Sequence, residues 1–532
     1  MAAANPLQER IDLLTRIGLA LSSESDHDRV LEAILDGAMD ITRADGGTVY
    51  RMSEDGRALR FAMVRTRSLH LAYGGPGRLP PPFPPVPLMR EDGTPNHDSI
   101  VAHCVLTGAT VNIGDAYHAD GFDFTGTRAF DQRTGYRSVS FLTVPLRDHE
   151  GVIIGVVQLI NAHDAAGAIC AFVDADQRLI EGLAGQGAAA LTRRKLIDGM
   201  RDLFEGLVRL IATAIDGKSA HTGGHCRRVP ELTMLLAEAA ARAPVGDLGA
   251  FTLGEADRYE LRIAAWLHDC GKLTTPDWVM EKATKLTALS DRIELVALRG
   301  ELAKREAELA AVEARLPAAA LAAARAEAAP AIAAIDDDVA FLRRVNQGGE
   351  RMADADRERV AAIAAHTIGV VGARVPFLTA DEVENLRILR GTLNDRERAV
   401  INHHIDATIQ MLESLPYPRH LRRVPEFAGG HHEHMDGSGH PRGLTRAQMS
   451  VPARIMGLAD VFEALTAQDR PYKKPMPLSQ ALSILAGMVR SGKVDRDLFA
   501  VFVRERVYLE YARKFLKPEQ IDAVDEAALL GG

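Results

Sequence analysis

The spacing of apolar positions changes along the chain, and the changes divide it into regions. Met1 to Glu24 reads as a short amphipathic helix. Leu31, Ile34, Leu35, Ala38 and Ile41 recur at helical spacing until Gly46-Gly47 breaks the pattern. Thr48 to Met52 and Leu59 to Val64 read as strands on either side of the turn Ser53-Glu54-Asp55-Gly56. The run Pro80-Pro81-Pro82-Phe83-Pro84-Pro85-Val86-Pro87 lacks the N–H groups of a sheet ladder and is predicted to be a loop. Strand texture returns at Ser138 to Leu146 and Val152 to Ile160, a plausible hairpin through Asp148-His149-Glu150-Gly151. A helix from about Asp174 then leaves this mixed α/β region, which spans 26–195.

That helix continues as a connector over 196–217. Leu196, Met200, Leu203, Leu207, Leu210 and Ala214 follow a 4-3-4-3-4 spacing, the seam of a coiled coil. A buried amphipathic helix gives the same pattern over so short a run; pairing is the favoured reading, and with it a homodimer. From Ile211 onward the pattern is mostly helical. The stretch 288–392 stands apart. Leu289, Ile293, Val296, Leu302, Leu309, Val312 and Leu316 mark a long helix face closed by Pro317, and an Ala-rich segment follows. Alanine favours helix but buries little area, so this insertion reads as a helical arm without a core of its own.

Composition narrows the class. Hydrophobic residues make up 47% and charged residues 25%, which excludes wholesale disorder. The net charge of −9 gives no reason to expect nucleic acid or an anionic membrane as partner. The most apolar stretch, near Gly151 to Ile160, falls short of the ~20 residues of a membrane span. No signal segment is legible at the start, and Cys104, Cys170, Cys226 and Cys270 are scattered without CxxC spacing. A cytoplasmic multidomain protein is expected.

The chemistry gathers in the C-terminal half: His221 and His225, His268-Asp269 with Lys272, His403-His404, His431-His432-Glu433, and Asp460. A lone histidine is usually structural. Several such clusters on helical segments supply the imidazole and carboxylate ligands that hold Fe, Mn or Zn. His221 and His225 share a face if their segment is helical. His268-Asp269 closes the apolar run Ile263-Ala264-Ala265-Trp266-Leu267, where a buried imidazole–carboxylate pair is costly unless a cation accompanies it.

His268-Asp269-Cys270-Gly271-Lys272 resembles the HDxGK signature of the HD superfamily of metal-dependent phosphohydrolases. His431 to Pro441 resembles the HHExxDGxGYP signature of its HD-GYP subfamily. Thr222-Gly223-Gly224-His225, Lys285-Leu286-Thr287, Arg454-Ile455, Ala459 to Thr466 and Asp469-Arg470-Pro471-Tyr472 add to the match, which covers about 211–287 and 393–475. The resemblance implies an all-α HD-type catalytic domain over 218–532, interrupted by the insertion, that hydrolyses cyclic di-GMP. It places metal ligands at His225, His268, Asp269, His404, His431, His432 and Asp460. His404 is chosen over His403 by starting the family's helix at Leu393-Asn394-Asp395-Arg396-Glu397. His221 stands where some relatives use a Glu for a third metal. The implied cofactor is therefore two transition-metal ions, Fe or Mn, or three if His221 ligates.

Asp269 is expected to bridge two ions, Lys272 to hold a substrate phosphate, and Glu433 to orient a ligating histidine. His440 replaces the signature's Tyr, which bears on base or ribose contacts and leaves another cyclic nucleotide open as substrate. Arg470 is the weaker match to the family's substrate contact, because its spacing from Asp460 is one residue longer than in the family. Cys226 and Cys270 flank ligands and read as small buried residues. A catalytically silent nucleotide- or partner-binding scaffold is the alternative of another class, disfavoured by so full a ligand set.

The N-terminal region resembles a GAF domain through Leu31 to Tyr50, Ser138 to Leu146 and Gly155 to Ala162. Asn161, Phe172 and Asp176 match the motif of cyclic-nucleotide-binding members, but Ala162 and Gln177 replace its Lys and Glu. No Lys–Asp lock can form there, so a ligand-free dimerisation module or an unknown small ligand fits better. His97, His103 and His118 lack metal spacing. The expected whole is a sensor domain regulating a phosphodiesterase.

Overall fold

A computed structural model describes residues 6–24, 26–218, 224–243, 245–312, 318–349, 351–370, 373–467 and 476–531. Two compact units result, Met1–Leu203 and Phe204–Gly532. The first opens with helices α1 (Pro6–Ser23) and α2 (His27–Thr42). Asp26 caps α2 by accepting from the backbone N–H groups of Asp28 and Arg29. Strands β1 (Ala44–Met52), β2 (Ala58–Thr66), β3 (Leu71–Tyr73) and β4 (Val86–Pro87) follow, then α3 (Ile100–Thr107), β5 (Val111–Ile113) and α4 (Thr125–Thr134). The sheet is completed by β6 (Phe141–Arg147), β7 (Ile153–His163) and β8 (Ile169–Cys170). Its antiparallel order is β3-β2-β1-β7-β6-β5, with β4 added to β2 and β8 to β7. The alternating apolar residues of β1, β6 and β7 bury one face against Leu31, Ile34, Leu35 and Ala38 of α2. Ile180, Leu183, Ala184 and Ala188 of the long helix α5 (Asp174–Lys218) join the same core.

Two expectations for this unit need correction. Gly46-Gly47 do not interrupt anything; both lie inside β1, where Gly47 lets the strand pass close under Leu35 and Met39. The proline-rich run is not wholly outside the sheet. Val86 pairs with Leu59 and Pro87 with Ala58, at an edge where a missing N–H costs no ladder bond.

In the second unit the last turns of α5 bury Val208, Ala212 and Ile215 among α6 (His225–Arg242) and α7 (Glu255–Leu267). After a tight turn at Cys270–Thr274 comes the short α8 (Asp277–Met280). Beyond the insertion run α13 (Asp395–Asn402), α14 (His404–Glu413), α15 (Val424–Gly429), α16 (Val451–Thr466) and α17 (Leu478–Arg490), closing with α18 (Arg496–Arg504), α19 (Val507–Phe515) and α20 (Glu526–Leu530). Phe427, Phe462, Phe502 and Tyr511 fill the centre of this helical core. The seam residues Leu196, Met200, Leu203, Leu207 and Leu210 of α5 are all at least half exposed in the single chain. No described helix is long and apolar enough to cross a membrane.

The insertion departs from the expected bare arm. It consists of α9 (Ile293–Val312), α10 (Ala318–Asn346), α11 (Asp354–Ala364), a hairpin of β9 (Thr367–Val370) and β10 (Ala373–Pro376), and α12 (Ala380–Leu386). These elements enclose their own core of Ile293, Val296, Phe341, Leu342, Val360 and Phe377, among others. The Ala-rich start of α10 hid this, because the large apolar residues come from its far end and from short elements beyond it. Of the expected helix face, Ile293 and Val296 are buried, whereas Leu302 and Leu309 are exposed and Leu289 projects fully into solvent ahead of α9. Leu316 and Pro317 fall outside the described residues. The insertion leaves and re-enters the helical unit at one place: Thr392 donates to the Lys282 carbonyl, and Lys282 Nζ contacts Asn385 and both oxygens of Glu397.

Candidate metal centre

Three of the histidines stand just past helix ends. His268 follows α7, His404 follows α13, and His431 comes after α15. The last carbonyls of a helix have no donor within it. Each histidine uses one: Nδ1 of His268 donates to the Ala265 carbonyl at 2.8 Å, His404 to Ile401 at 2.6 Å, and His431 to Ala428 at 2.6 Å. A carbonyl only accepts, so Nδ1 carries a proton and Nε2 is the atom left to face the site. His225 opens α6 instead, behind Gly224 at φ 87. Asp216, near the end of α5, anchors this start by accepting from the N–H groups of Gly224 and Cys226.

These free nitrogens converge. His225 Nε2 lies 3.3 Å from His268 Nε2, 3.3 Å from Asp269 Oδ2 and 3.3 Å from Asp460 Oδ1. His404 Nε2 lies 3.2 Å from His432 Nε2 and 3.4 Å from Asp269 Oδ1. Two donor groups result, His225–His268–Asp460 and His404–His431–His432, and Asp269 turns one oxygen to each. The turn carrying Asp269 sits hard against α14. A Cβ on Gly271 would come within 1.9 Å of the His404 carbonyl oxygen, and Gly271 N–H donates to Thr408 Oγ1. Only glycine permits that approach.

The charges suit a cation. Burial works against ionised Asp269, but Lys272 at 2.6 Å and His268 hold its carboxyl well below the usual range. Burial likewise opposes ionised Asp460, and His225 and His268 keep it low. Burial disfavours an imidazolium at His268, yet Asp269 and Asp460 raise it to about 9. On the other side burial pushes His432 down to about 4, and burial with the neighbouring His432 and His268 holds His431 well below the usual imidazole range. His431 Nε2 is buried with no hydrogen-bond partner. Ionised carboxylates at Asp269 and Asp460 beside neutral imidazoles at His431 and His432, with one nitrogen orphaned, fit divalent transition metals.

The remaining expected residues are placed as follows. Lys272 remains about a quarter exposed beside Asp269. His403 is exposed and pairs with Asp406. His440 stacks on His432, ring centroids 5.0 Å apart, and its N–H reaches the His432 carbonyl. His221 and Arg470 lie outside the described residues. Cys226 and Cys270 are buried thiols, the latter pushed up to about 11 by burial. Glu433 corrects an expectation: its carboxylate accepts from the backbone N–H groups of Arg442 and Leu444, so it closes the loop after His432, and it hydrogen-bonds no histidine among the described residues. Glu463 holds a histidine instead, through His225 Nδ1 at 2.5 Å. Its place three residues after Asp460, on the same face of α16, was the available signal.

Known protein families match most of the chain. The model of the GAF domain family matches residues 24–192, and two models of the HD domain match 222–364 and 345–498. The chain is 43% identical over 117 residues to the 3'3'-cGAMP-specific phosphodiesterase 1 of Vibrio cholerae, covering 21% of this chain and 26% of that protein. It is 35% identical over 152 residues to the 3'3'-cGAMP-specific phosphodiesterase 3 of the same organism, covering 28% and 30%. It is 30% identical over 151 residues to a cyclic di-GMP phosphodiesterase of Thermotoga maritima, covering 26% and 38%. The chain thus spans between about a quarter and two fifths of the length of these curated relatives.

Proposed function

Since the chain carries a GAF domain followed by an HD domain, we propose that it is a metal-dependent phosphodiesterase of the HD-GYP type that opens cyclic di-GMP under control of its N-terminal sensor. One observation carries the reading: two groups of buried and half-buried donors share the single carboxylate of Asp269. Iron or manganese held there by His225, His268, Asp269, His404, His431, His432 and Asp460 would neutralise the phosphodiester and activate a water. Lys272 keeps Asp269 ionised, and its partly exposed ammonium has donors left for a substrate phosphate. His440 props the ring of His432 from behind.

A second substrate, 3'3'-cGAMP, is favoured by the names of two of the relatives above. Turnover of manganese- or iron-loaded protein against both dinucleotides tests the reading. Hydrolysis of one or both supports it; metal bound without turnover of any cyclic dinucleotide would return the chain to the silent-scaffold class. The exposed seam on α5 supports a homodimer. Leu203→Glu with Leu207→Glu should convert it to a monomer in sedimentation, and an unchanged dimer places the contact elsewhere.

A further inference from the structure

His225 has no helix end to lean on. His268, His404 and His431 each spend Nδ1–H on a last-turn carbonyl. At a helix N-terminus, where His225 sits, the free backbone groups are N–H donors, and an imidazole Nδ1–H finds no acceptor among them. The acceptor arrives from another helix. Glu463 Oε2 lies 2.5 Å from His225 Nδ1, and its other oxygen accepts from Arg228 Nε at 2.6 Å. The Glu463 side chain is 1% exposed.

We propose that Glu463 is a positioning residue: it fixes His225 as the Nδ1–H tautomer, Nε2 turned to Asp269, Asp460 and His268, and so decides whether that half of the centre holds its cation. The inference rests on the metal-centre reading above and concerns a residue outside the ligand set. Arg228 gives it a sharp test, because it commits one Glu463 oxygen as an acceptor.

In Glu463→Gln the amide oxygen must still face Arg228, which turns the amide N–H2 toward His225. Two donors then oppose each other unless His225 moves its proton to Nε2, which removes the ligand lone pair. Replacing Arg228 as well, in Glu463→Gln/Arg228→Met, frees the amide to turn its oxygen to His225 and restores the Nδ1–H tautomer. A residue that merely packs predicts the opposite order, with the double variant worse than the single.

The experiment measures Mn(II) per chain and Mn(II) affinity for wild type and both variants, with circular dichroism and melting to confirm folding. Expected are two ions in wild type, one in Glu463→Gln with at least tenfold weaker binding of the second, and recovery of the second in the double variant. Two ions at wild-type affinity in Glu463→Gln, or no recovery in the double variant, overturns the proposal. Should the variants not fold, histidine-labelled wild type loaded with diamagnetic Zn(II) decides by nitrogen NMR: a His225 proton on Nε2 and none on Nδ1 overturns it, a proton on Nδ1 alone upholds it. Wild type that binds no Mn(II) overturns the metal-centre reading itself, and the tether with it.

Discussion

In the N-terminal unit buried polar groups such as Asn161 and Asp131 are matched donor to acceptor; at the candidate metal centre of the helical unit imidazole nitrogens and carboxylates converge on a shared space instead. Asn161 shows the first pattern. It sits in the left-handed region at φ 56, accepts from the N–H groups of Val139 and Ser140, and donates to the Arg137 carbonyl. Asp131 likewise takes Tyr117 Oη and both the N–H and hydroxyl of Ser138. These groups are consumed by the fold. The Nε2 atoms of His225 and His268 instead approach to 3.3 Å and those of His404 and His432 to 3.2 Å, with the Asp269 carboxylate beside both pairs. The contrast separates polar residues that hold a chain together from polar residues held in readiness for something else.

Substitutions can break or sharpen that contrast. The largest effect is expected from Asp269→Ala. It should strip most of the metal and lower turnover on the order of a thousandfold or more, because one carboxylate serves both donor groups; two ions retained in elemental analysis would refute the bridge. Lys272→Ala should keep the metal and reduce kcat by roughly ten- to a hundredfold, as expected for a charge acting on the substrate; loss of metal would make this lysine structural.

Asn161→Ala should leave metal content alone and destabilise the first unit by about 3 kcal/mol, from three lost hydrogen bonds and an Ala at positive φ, read by chemical denaturation. Lys285 gives the smallest effect. It is 2% exposed, donates to the Leu386 carbonyl, and is pushed down to about 8 by burial. A depressed lysine costs stability in full below that value, and the cost fades as pH rises from about 8 toward the unfolded value of about 10.4. Lys285→Met should therefore stabilise the protein by roughly 1–2 kcal/mol at pH 7, with the advantage shrinking at alkaline pH; a gain independent of pH would point to packing alone.

How much of this could be read from the chain depended on whether the cause was local. The strands around Asp148 to Gly151 and the helix of Leu31 to Ile41 follow from periodicity, and the histidine and aspartate clusters stand beside apolar runs that announce burial. Phe341, Leu342 and Phe377 come together only in three dimensions, and so an Ala-rich sequence concealed a core. Glu433 and Glu463 show the same limit at the site. Both carboxylates lie near ligands in sequence, yet one bonds a loop and the other an imidazole, a distinction set by where Arg442, Leu444 and His225 arrive in space.

The neck at Lys282, Thr392 and Glu397 gives the insertion the character of a removable cassette. A segment whose two ends touch imposes almost no loop-closure penalty on its host, however long it grows. Mutation could therefore lengthen, trim or exchange it while α7 and α14 keep their places. A buried salt link at the seam, Lys282 with Glu397 and Asn385, works as the clasp that any replacement would have to reproduce. The same junction marks where a foreign domain could be spliced in by an engineer, next to the helix that begins at Asp395 and leads straight to His404.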